Sequence, residues 1–352
     1  MLDDLNNIKK IDKSDMHGTI VNFPDQIKKA VEIAESANIE TFFKIDNVII
    51  TGMGASGISG DIAVSLFKDK IDVPIYVNKD YDIPKWARKD TLTFFYSYSG
   101  NTEETISAFK VAYQKKCRII CISSGGKLKE LSEKRNIAHI KIPSGYQPRA
   151  AVAYSLFTLI VILKRVGLIK QEIDSDINET IDVIQDLIKK IDISVSEKNN
   201  FAKQIARNIY NSIPQIYAWG IYSPIATRWR QQFNENSKLI SREETLPESC
   251  HNDIVGWSLN PEVSKYFSCI IFRDRNLESL HMTTRLNFLN KLFQNSTSNI
   301  IELSPHGKKR LSKIMYFLVL GDFVSFYLAI LRNIDPTPID IINDLKQRIK
   351  KL

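Results

Sequence analysis

Short apolar runs, most of them closed by a glycine- or hydroxyl-rich turn and followed by a helical pattern, recur along this chain from Asn47 onward. Asn47 to Thr51, Pro74 to Val77, Thr91 to Tyr96, Arg118 to Ile122 and His139 to Ile142 read as strands. Ser59 to Phe67, Thr102 to Lys115 and Leu128 to Lys134 read as the helices between them. A strand separated from the next by a helix pairs in parallel, and the helices cover both faces of the sheet. The expectation is an α/β fold, a parallel-sheet αβα sandwich.

The pattern then breaks and restarts. Ala150 to Val166 is apolar, and Glu172 to Ile193 places isoleucine, leucine and valine at helical spacing. The second half repeats the first weakly. Pro214 to Gly220 mirrors the first strand and its loop, and Ser223 to Phe233 mirrors the first helix. Tyr266 to Arg273, Leu280 to Gln294 and Asn299 to Leu303 continue the series, and Lys309 to Leu331 supplies long helices. With 352 residues, two domains are expected. Their limits are set at 1–165 and 201–352, with 166–200 as a helical linker. Residues 1–46 read as helical, amphipathic from Gln26 to Glu35.

One loop carries chemistry on its face. The strand ending at Tyr96 runs into Ser97-Tyr98-Ser99-Gly100-Asn101-Thr102 and then Glu103-Glu104-Thr105. Ser97, Ser99 and Thr102 offer three hydroxyls, Gly100 permits close backbone approach, and Thr102 begins a helix. A helix N-terminus presents free N–H groups and a partial positive charge, which suits a phosphate. No lysine lies in this loop, so it is not the loop of a nucleoside-triphosphatase. A phosphorylated metabolite is the expected guest. In the second half Phe272-Arg273-Asp274 replaces the hydroxyls, so the first half is expected to hold the phosphate.

Gly52-Met53-Gly54-Ala55-Ser56-Gly57 matches a dinucleotide fingerprint only superficially. After the next strand Asn78-Lys79 stands where the acidic residue for a ribose belongs. A turn that brings Ser56 to a ligand fits better. Asn234-Glu235-Asn236 ends the helix after the second half's first strand and is expected beside the carboxyl edge of that sheet. His251 lies sixteen residues on, in Pro247-Glu248-Ser249-Cys250-His251-Asn252-Asp253. Carboxylate and imidazole are the usual pair for proton transfer near neutral pH. Arg149, in Gln147-Pro148-Arg149-Ala150, offers a cation for a developing oxyanion. Taken singly, each of these also reads as a surface or loop residue.

Bulk properties narrow the field. The net charge of +8 is spread along the chain, and Lys308-Lys309-Arg310 is too short a cluster to argue for nucleic acid. Attraction of an anionic metabolite accounts for it equally well. Cys117, Cys121, Cys250 and Cys269 form no CxxC pair and no zinc spacing, and reduced thiols fit the cytoplasm. The N-terminus lacks the apolar stretch of a signal peptide. Apolar runs such as Ala150 to Leu163 are shorter than a membrane span.

In order along the chain stand the Gly52–Gly57 and Ser97–Thr102 loops, Gln147-Pro148-Arg149, Asn234-Glu235-Asn236, Pro247-Glu248 with His251-Asn252, Asp335-Pro336 and Leu345-Lys346. As a set they resemble the bifunctional phosphoglucose/phosphomannose isomerases of the sugar isomerase (SIS) group. The serine loop alone indicates only the domain type; the full set points to this family. The resemblance implies two flavodoxin-like SIS domains in tandem, a homodimer, and neither metal nor cofactor. It implies a hexose 6-phosphate substrate held by Ser56, Ser97, Ser99 and Thr102, with Gly54 and Ala55 in the substrate loop. Glu235 would move a proton between C1 and C2. Arg149 would stabilise the enediolate. His251, reaching in from a partner subunit, would assist ring opening, and Lys346 would approach the ring oxygen or C1 hydroxyl. Ala55 and Asp253 depart from the commoner glycine and glutamate. Two other readings remain open: a non-catalytic sugar-phosphate sensor, and an isomerase of amino-sugar phosphates. The second normally needs an ammonia-supplying domain with an N-terminal cysteine, whereas this chain starts Met1-Leu2.

Overall fold

In the first half, side chains alternate along each strand and sort onto two faces. The computed structural model describes residues 1–40, 44–170, 172–259, 261–294 and 296–349. Its first sheet comprises β1 (Asn47–Thr51), β2 (Ile75–Asn78), β3 (Thr91–Tyr96), β4 (Arg118–Ser123) and β5 (Ala138–Lys141), all parallel, in the order β2-β1-β3-β4-β5. That is the flavodoxin-like order. Val48, Ile50, Phe94, Ile120 and Ile122 point to one face, and Ile49, Phe95 and Cys121 to the other. Period-two alternation with both sets apolar is what a sheet covered twice requires.

Fifteen helices are described. Before the first strand come α1 (Leu5–Ile11), α2 (Met16–Val21) and α3 (Phe23–Ser36). Within the first unit lie α4 (Ala55–Phe67), α5 (Glu103–Gln114) and α6 (Gly126–Glu133). Then follow α7 (Val152–Arg165), α8 (Ile173–Ile191) and α9 (Phe201–Ile209). The second unit carries α10 (Ser223–Glu235), α11 (Asp253–Leu259), α12 (Pro261–Ser264), α13 (Leu280–Phe293), α14 (Arg310–Leu331) and α15 (Asp340–Ile349). The reading of residues 1–46 as helical holds to Ser36 and fails at 37–40 and 44–46; residues 41–43 lie outside the described set. Helix α4 begins at Ala55, four residues earlier than expected, so the apparent loop Gly52–Gly57 is a turn plus the first helical residues.

The second sheet contains β6 (Ile213–Trp219), β7 (Arg242–Leu246), β8 (Phe267–Phe272) and β9 (Asn299–Leu303), parallel, in the order β7-β6-β8-β9. It repeats the first four positions of the first sheet. β7 has no counterpart in the strands read from the sequence. Its residues, Arg-Glu-Glu-Thr-Leu, carry charge rather than an apolar run. β7 is an edge strand, where charged side chains are tolerated and discourage unwanted pairing.

A single apolar core joins the two halves. Helix α3 packs on α7, α4 on both α7 and α10, and α14 on α8, α9 and α10. Helix α14 is long and apolar enough to cross a membrane, which corrects the expectation that no apolar run reaches that length. Its apolar window is wholly buried among protein elements, as in a core helix. Trp229 of α10 donates its indole N–H to the Phe317 carbonyl at 2.8 Å, and its ring lies against Gly321. A Cβ built at Gly321 would stand 2.2 Å from Trp229 Nε1. Alanine normally gains about 1 kcal/mol over glycine inside a helix. Here overpacking should reverse the sign, and Gly321→Ala is expected to destabilise by about 1–3 kcal/mol. Urea unfolding checks this; a variant as stable as wild type would show that α10 and α14 can separate freely.

Candidate active site

The strand order of the first sheet reverses between β1 and β3, the switch point where open α/β sheets form a crevice at the carboxyl edge. Both loops singled out in the sequence flank that point. Gly54, at φ +51°, caps α4 after β1, and Thr102 caps α5 after β3. Two helix N-termini therefore start side by side, each presenting N–H groups and positive potential. Ser56 lies buried in the first turn of α4, and Ala55 is half-buried beside it. Ser97 Oγ and Thr102 Oγ1 lie 2.8 Å apart, and the Thr102 N–H donates to Ser97 Oγ at 3.3 Å. Ser99 is exposed, and its Oγ accepts from the Asn101 N–H at 3.2 Å. The arrangement can take an anion of phosphate size.

The loop is braced from behind. Ser124 donates to the Tyr98 carbonyl from its N–H at 2.9 Å and its Oγ at 2.8 Å, and the Leu128 N–H donates to the Gly100 carbonyl at 2.9 Å. Gly100 has φ +71°, and a Cβ there would fall 1.7 Å from the Gly125 carbonyl oxygen. Only glycine fits. Tyr98 turns the other way: its hydroxyl accepts the Tyr146 N–H at 2.8 Å, tying the serine loop to the segment that leads to Arg149.

Arg149 is 1% exposed although it carries a full charge. Of its two plain alternative readings, solvent exposure and a helix-end ion pair, the first is excluded. Nε donates to Asn236 Oδ1 at 2.7 Å, and Nη2 donates to the Pro336 and Thr337 carbonyls at 2.8 and 2.9 Å. Its own carbonyl accepts from Arg228 Nη2 at 2.5 Å, and Arg228 pairs with the buried Asp322 at 3.0 Å. Nη1 remains without a hydrogen-bond partner and lies 3.6 Å from Glu235 Oε2. Burial pulls the guanidinium below the ordinary arginine range, and the Glu235 carboxylate partly restores it. Glu235, the last residue of α10, keeps 27% of its side chain accessible. Asn236 is fixed in turn by donating to Ser325 Oγ at 3.0 Å. One uncommitted donor and one carboxylate thus face each other in a rigid frame.

Other expected site residues stand apart. Helix α10 runs back along the sheet from the end of β6 to the start of β7, which places Glu235 at the amino edge of the second sheet. The expectation of a carboxyl-edge position for Glu235 is therefore corrected: it meets the carboxyl edge of the first sheet through Arg149. His251 follows β7 at that strand's far end, in the turn Glu248–His251, and is exposed. Five residues of strand, about 16 Å, separate the two ends. Nearness in sequence does not bring these residues together within one chain. Lys346 is exposed on α15, and among the described residues no contact joins it to Glu235 or Arg149. Lys238 was missed by sequence reading. Its Nζ donates to the Glu235, Pro336 and Asp335 carbonyls at 2.7, 2.9 and 3.1 Å.

The equivalent loop of the second half is already filled. The Asp274 carboxylate accepts from Tyr222 Oη at 2.5 Å and Lys313 Nζ at 2.8 Å, while the buried Arg273 pairs with Glu278 at 2.8 Å. These buried charges satisfy one another.

Residues 198–349 match the family model described as the bacterial phospho-glucose isomerase C-terminal SIS domain. A bifunctional phosphoglucose/phosphomannose isomerase of Caldicellulosiruptor bescii is 37% identical over 96% of this chain and 99% of its own. Another, of Aquifex aeolicus, is 35% identical over 86% of this chain and 90% of its own. The C-terminal domain of a glucosamine-fructose-6-phosphate aminotransferase from Francisella tularensis superposes with a TM-score of 0.70, covering 92% of this chain and 98% of that one at 16% identity, a likeness of fold. The chain belongs to the bifunctional phosphoglucose/phosphomannose isomerase family.

Proposed function

We propose that this protein interconverts glucose 6-phosphate and fructose 6-phosphate, and mannose 6-phosphate and fructose 6-phosphate, through a cis-enediol. The observation that carries the reading is the buried Arg149 guanidinium with Nη1 uncommitted, 3.6 Å from the Glu235 carboxylate. Aldose–ketose isomerisation needs a base for the proton beside the carbonyl and a cation for the oxygen that gains charge. Glu235 takes the C2 proton of the open-chain aldose as the C1 oxygen becomes an enediolate against Arg149. The C2 hydroxyl proton passes to the C1 oxygen as the same carboxyl returns the carbon-bound proton to C1, and the C2 oxygen becomes the ketone. For the reverse reaction, rotation about C2–C3 presents either face of C2 to the one carboxyl, which yields glucose or mannose 6-phosphate.

Ser56, Ser97, Ser99 and Thr102, with Gly54 and Ala55 beside them, would anchor the substrate phosphate. Remote binding energy then positions the reacting carbons. The exposed His251, far from Glu235 of its own chain, fits a homodimer in which it serves the partner's site for ring opening. Lys346 would approach the ring oxygen or C1 hydroxyl from α15.

Purified, chelator-treated enzyme given fructose 6-phosphate should form both glucose and mannose 6-phosphates, resolved by NMR. Glucose 6-phosphate alone would narrow the activity to one epimer. No product, with sugar-phosphate binding retained, would favour a sensor or an amino-sugar substrate. The phosphate anchor makes its own prediction: Gly100→Ala should raise KM for fructose 6-phosphate about tenfold or more, with a smaller effect on kcat. An unchanged KM would remove the serine loop from substrate binding.

A further inference from the structure

Lys238 lies three residues beyond the proposed base, at φ +51°, just after α10 ends. Its stem lies on the surface, but its ammonium turns in upon carbonyl oxygens from two separate segments. From α10 it takes Glu235 at 2.7 Å, with Asn236 at 3.4 Å. From the segment leading to α15 it takes Asp335 at 3.1 Å and Pro336 at 2.9 Å. The Pro336 carbonyl also accepts from Arg149 Nη2. A single cation therefore ties the backbone of the base to the same carbonyl that holds the guanidinium. The last carbonyls of a helix lack partners within it, and a lysine there satisfies them. Reaching onward to a second segment is more than a cap requires.

We propose that Lys238 is a positioning residue that fixes the spacing between Glu235 and Arg149 by clamping the end of α10 to the 335–337 segment. The inference rests on the reading of Glu235 as the base. Lys238 itself touches no reacting atom. Without it the helix end and the segment can shift independently, and Nη1 no longer faces the carboxylate at a fixed distance. Misplacements of about 1 Å are enough to cost a catalytic site on the order of a hundredfold.

The clamp is also sensitive to pH. Loss of solvent around the ammonium and repulsion from Arg149 push Lys238 down to about 8, partly opposed by Asp335, Glu235 and Asp340. Arg149 faces it from the turn after β5, Glu235 from α10, and the two aspartates from the C-terminal segment. Below that pH the group is an ammonium with three donors; above it, charge and one donor are lost. Clamping should therefore weaken as pH rises through about 8.

The test compares Lys238→Met and Lys238→Arg in the full-length enzyme. The readouts are kcat, and inhibition by sorbitol 6-phosphate, a hexitol that cannot isomerise. Lys238→Met is expected to lower kcat about 10- to 100-fold while inhibitor affinity changes less than about twofold. Lys238→Arg should recover most of kcat and move the alkaline limb of the kcat profile upward, because a guanidinium keeps its proton. Wild-type kcat in Lys238→Met, equal losses of kcat and inhibitor affinity, or an alkaline limb unmoved in Lys238→Arg would each overturn the clamp. Glu235→Gln, assayed in parallel, separates the two readings. If that variant is fully active, the base assignment fails; if it is inactive while Lys238→Met is normal, only the clamp fails.

Discussion

Glu235→Gln is expected to fold like the wild type and to lose about three orders of magnitude in kcat, the middle of the range for removal of a general base. The amide keeps the shape of the side chain and an oxygen for Arg149, but it cannot take a proton from carbon. Because 27% of the side chain is accessible, the exchange leaves no fully buried group unpaired. Stability should therefore move little, within about 1 kcal/mol. Steady-state kinetics with fructose 6-phosphate and a thermal melt check both halves. A variant with near-normal turnover would remove Glu235 from proton transfer.

The second large effect is expected at Arg149. Arg149→Lys keeps a charge but loses the planar fork that engages Asn236, Pro336 and Thr337 at once. A lysine satisfying these acceptors has nothing left to present to a developing oxyanion. We expect kcat to fall about 10²- to 10³-fold and KM to change only a few-fold, the signature of an interaction made in the transition state. Stability should drop as well, by about 2 kcal/mol or more, since buried acceptors would be left unpaired. Kinetics must therefore be read well below the lowered melting temperature. A loss confined to KM would make Arg149 a substrate contact and not an oxyanion stabiliser.

Much of the architecture was legible because the first sheet obeys local rules. Val48, Ile49 and Ile50, or Phe94 and Phe95, alternate between two apolar layers, and each run ends in a glycine or hydroxyl turn. β7 was not legible, because an edge strand needs no apolar face and Arg242, Glu243 and Glu244 read as loop. The serine loop could be read from its hydroxyls and Gly100, since the features that suit a phosphate are all local. The partnership of Arg149 with Asn236 could not. It joins residues 87 positions apart, and nothing in either segment alone says that they meet. Lys238 was hidden for a related reason: a lysine after a helix normally reads as a solvated C-terminal charge, and its second set of partners comes from residues 335 and 336. Nearness in sequence misled in the case of Glu235 and His251, because β7 intervenes and carries them to opposite ends of a sheet.

The most direct test of a proton-transfer isomerase built on Glu235 is the conversion of fructose 6-phosphate in D2O, followed by NMR at C2 of the products. Because 27% of the Glu235 side chain is accessible, the proton it holds can exchange with solvent before it is returned, so deuterium is expected in part at C2 of both glucose 6-phosphate and mannose 6-phosphate, and Glu235→Gln should form neither at a comparable rate. Near-normal product formation by Glu235→Gln, with or without deuterium at C2, would contradict an enediol passed through this carboxylate.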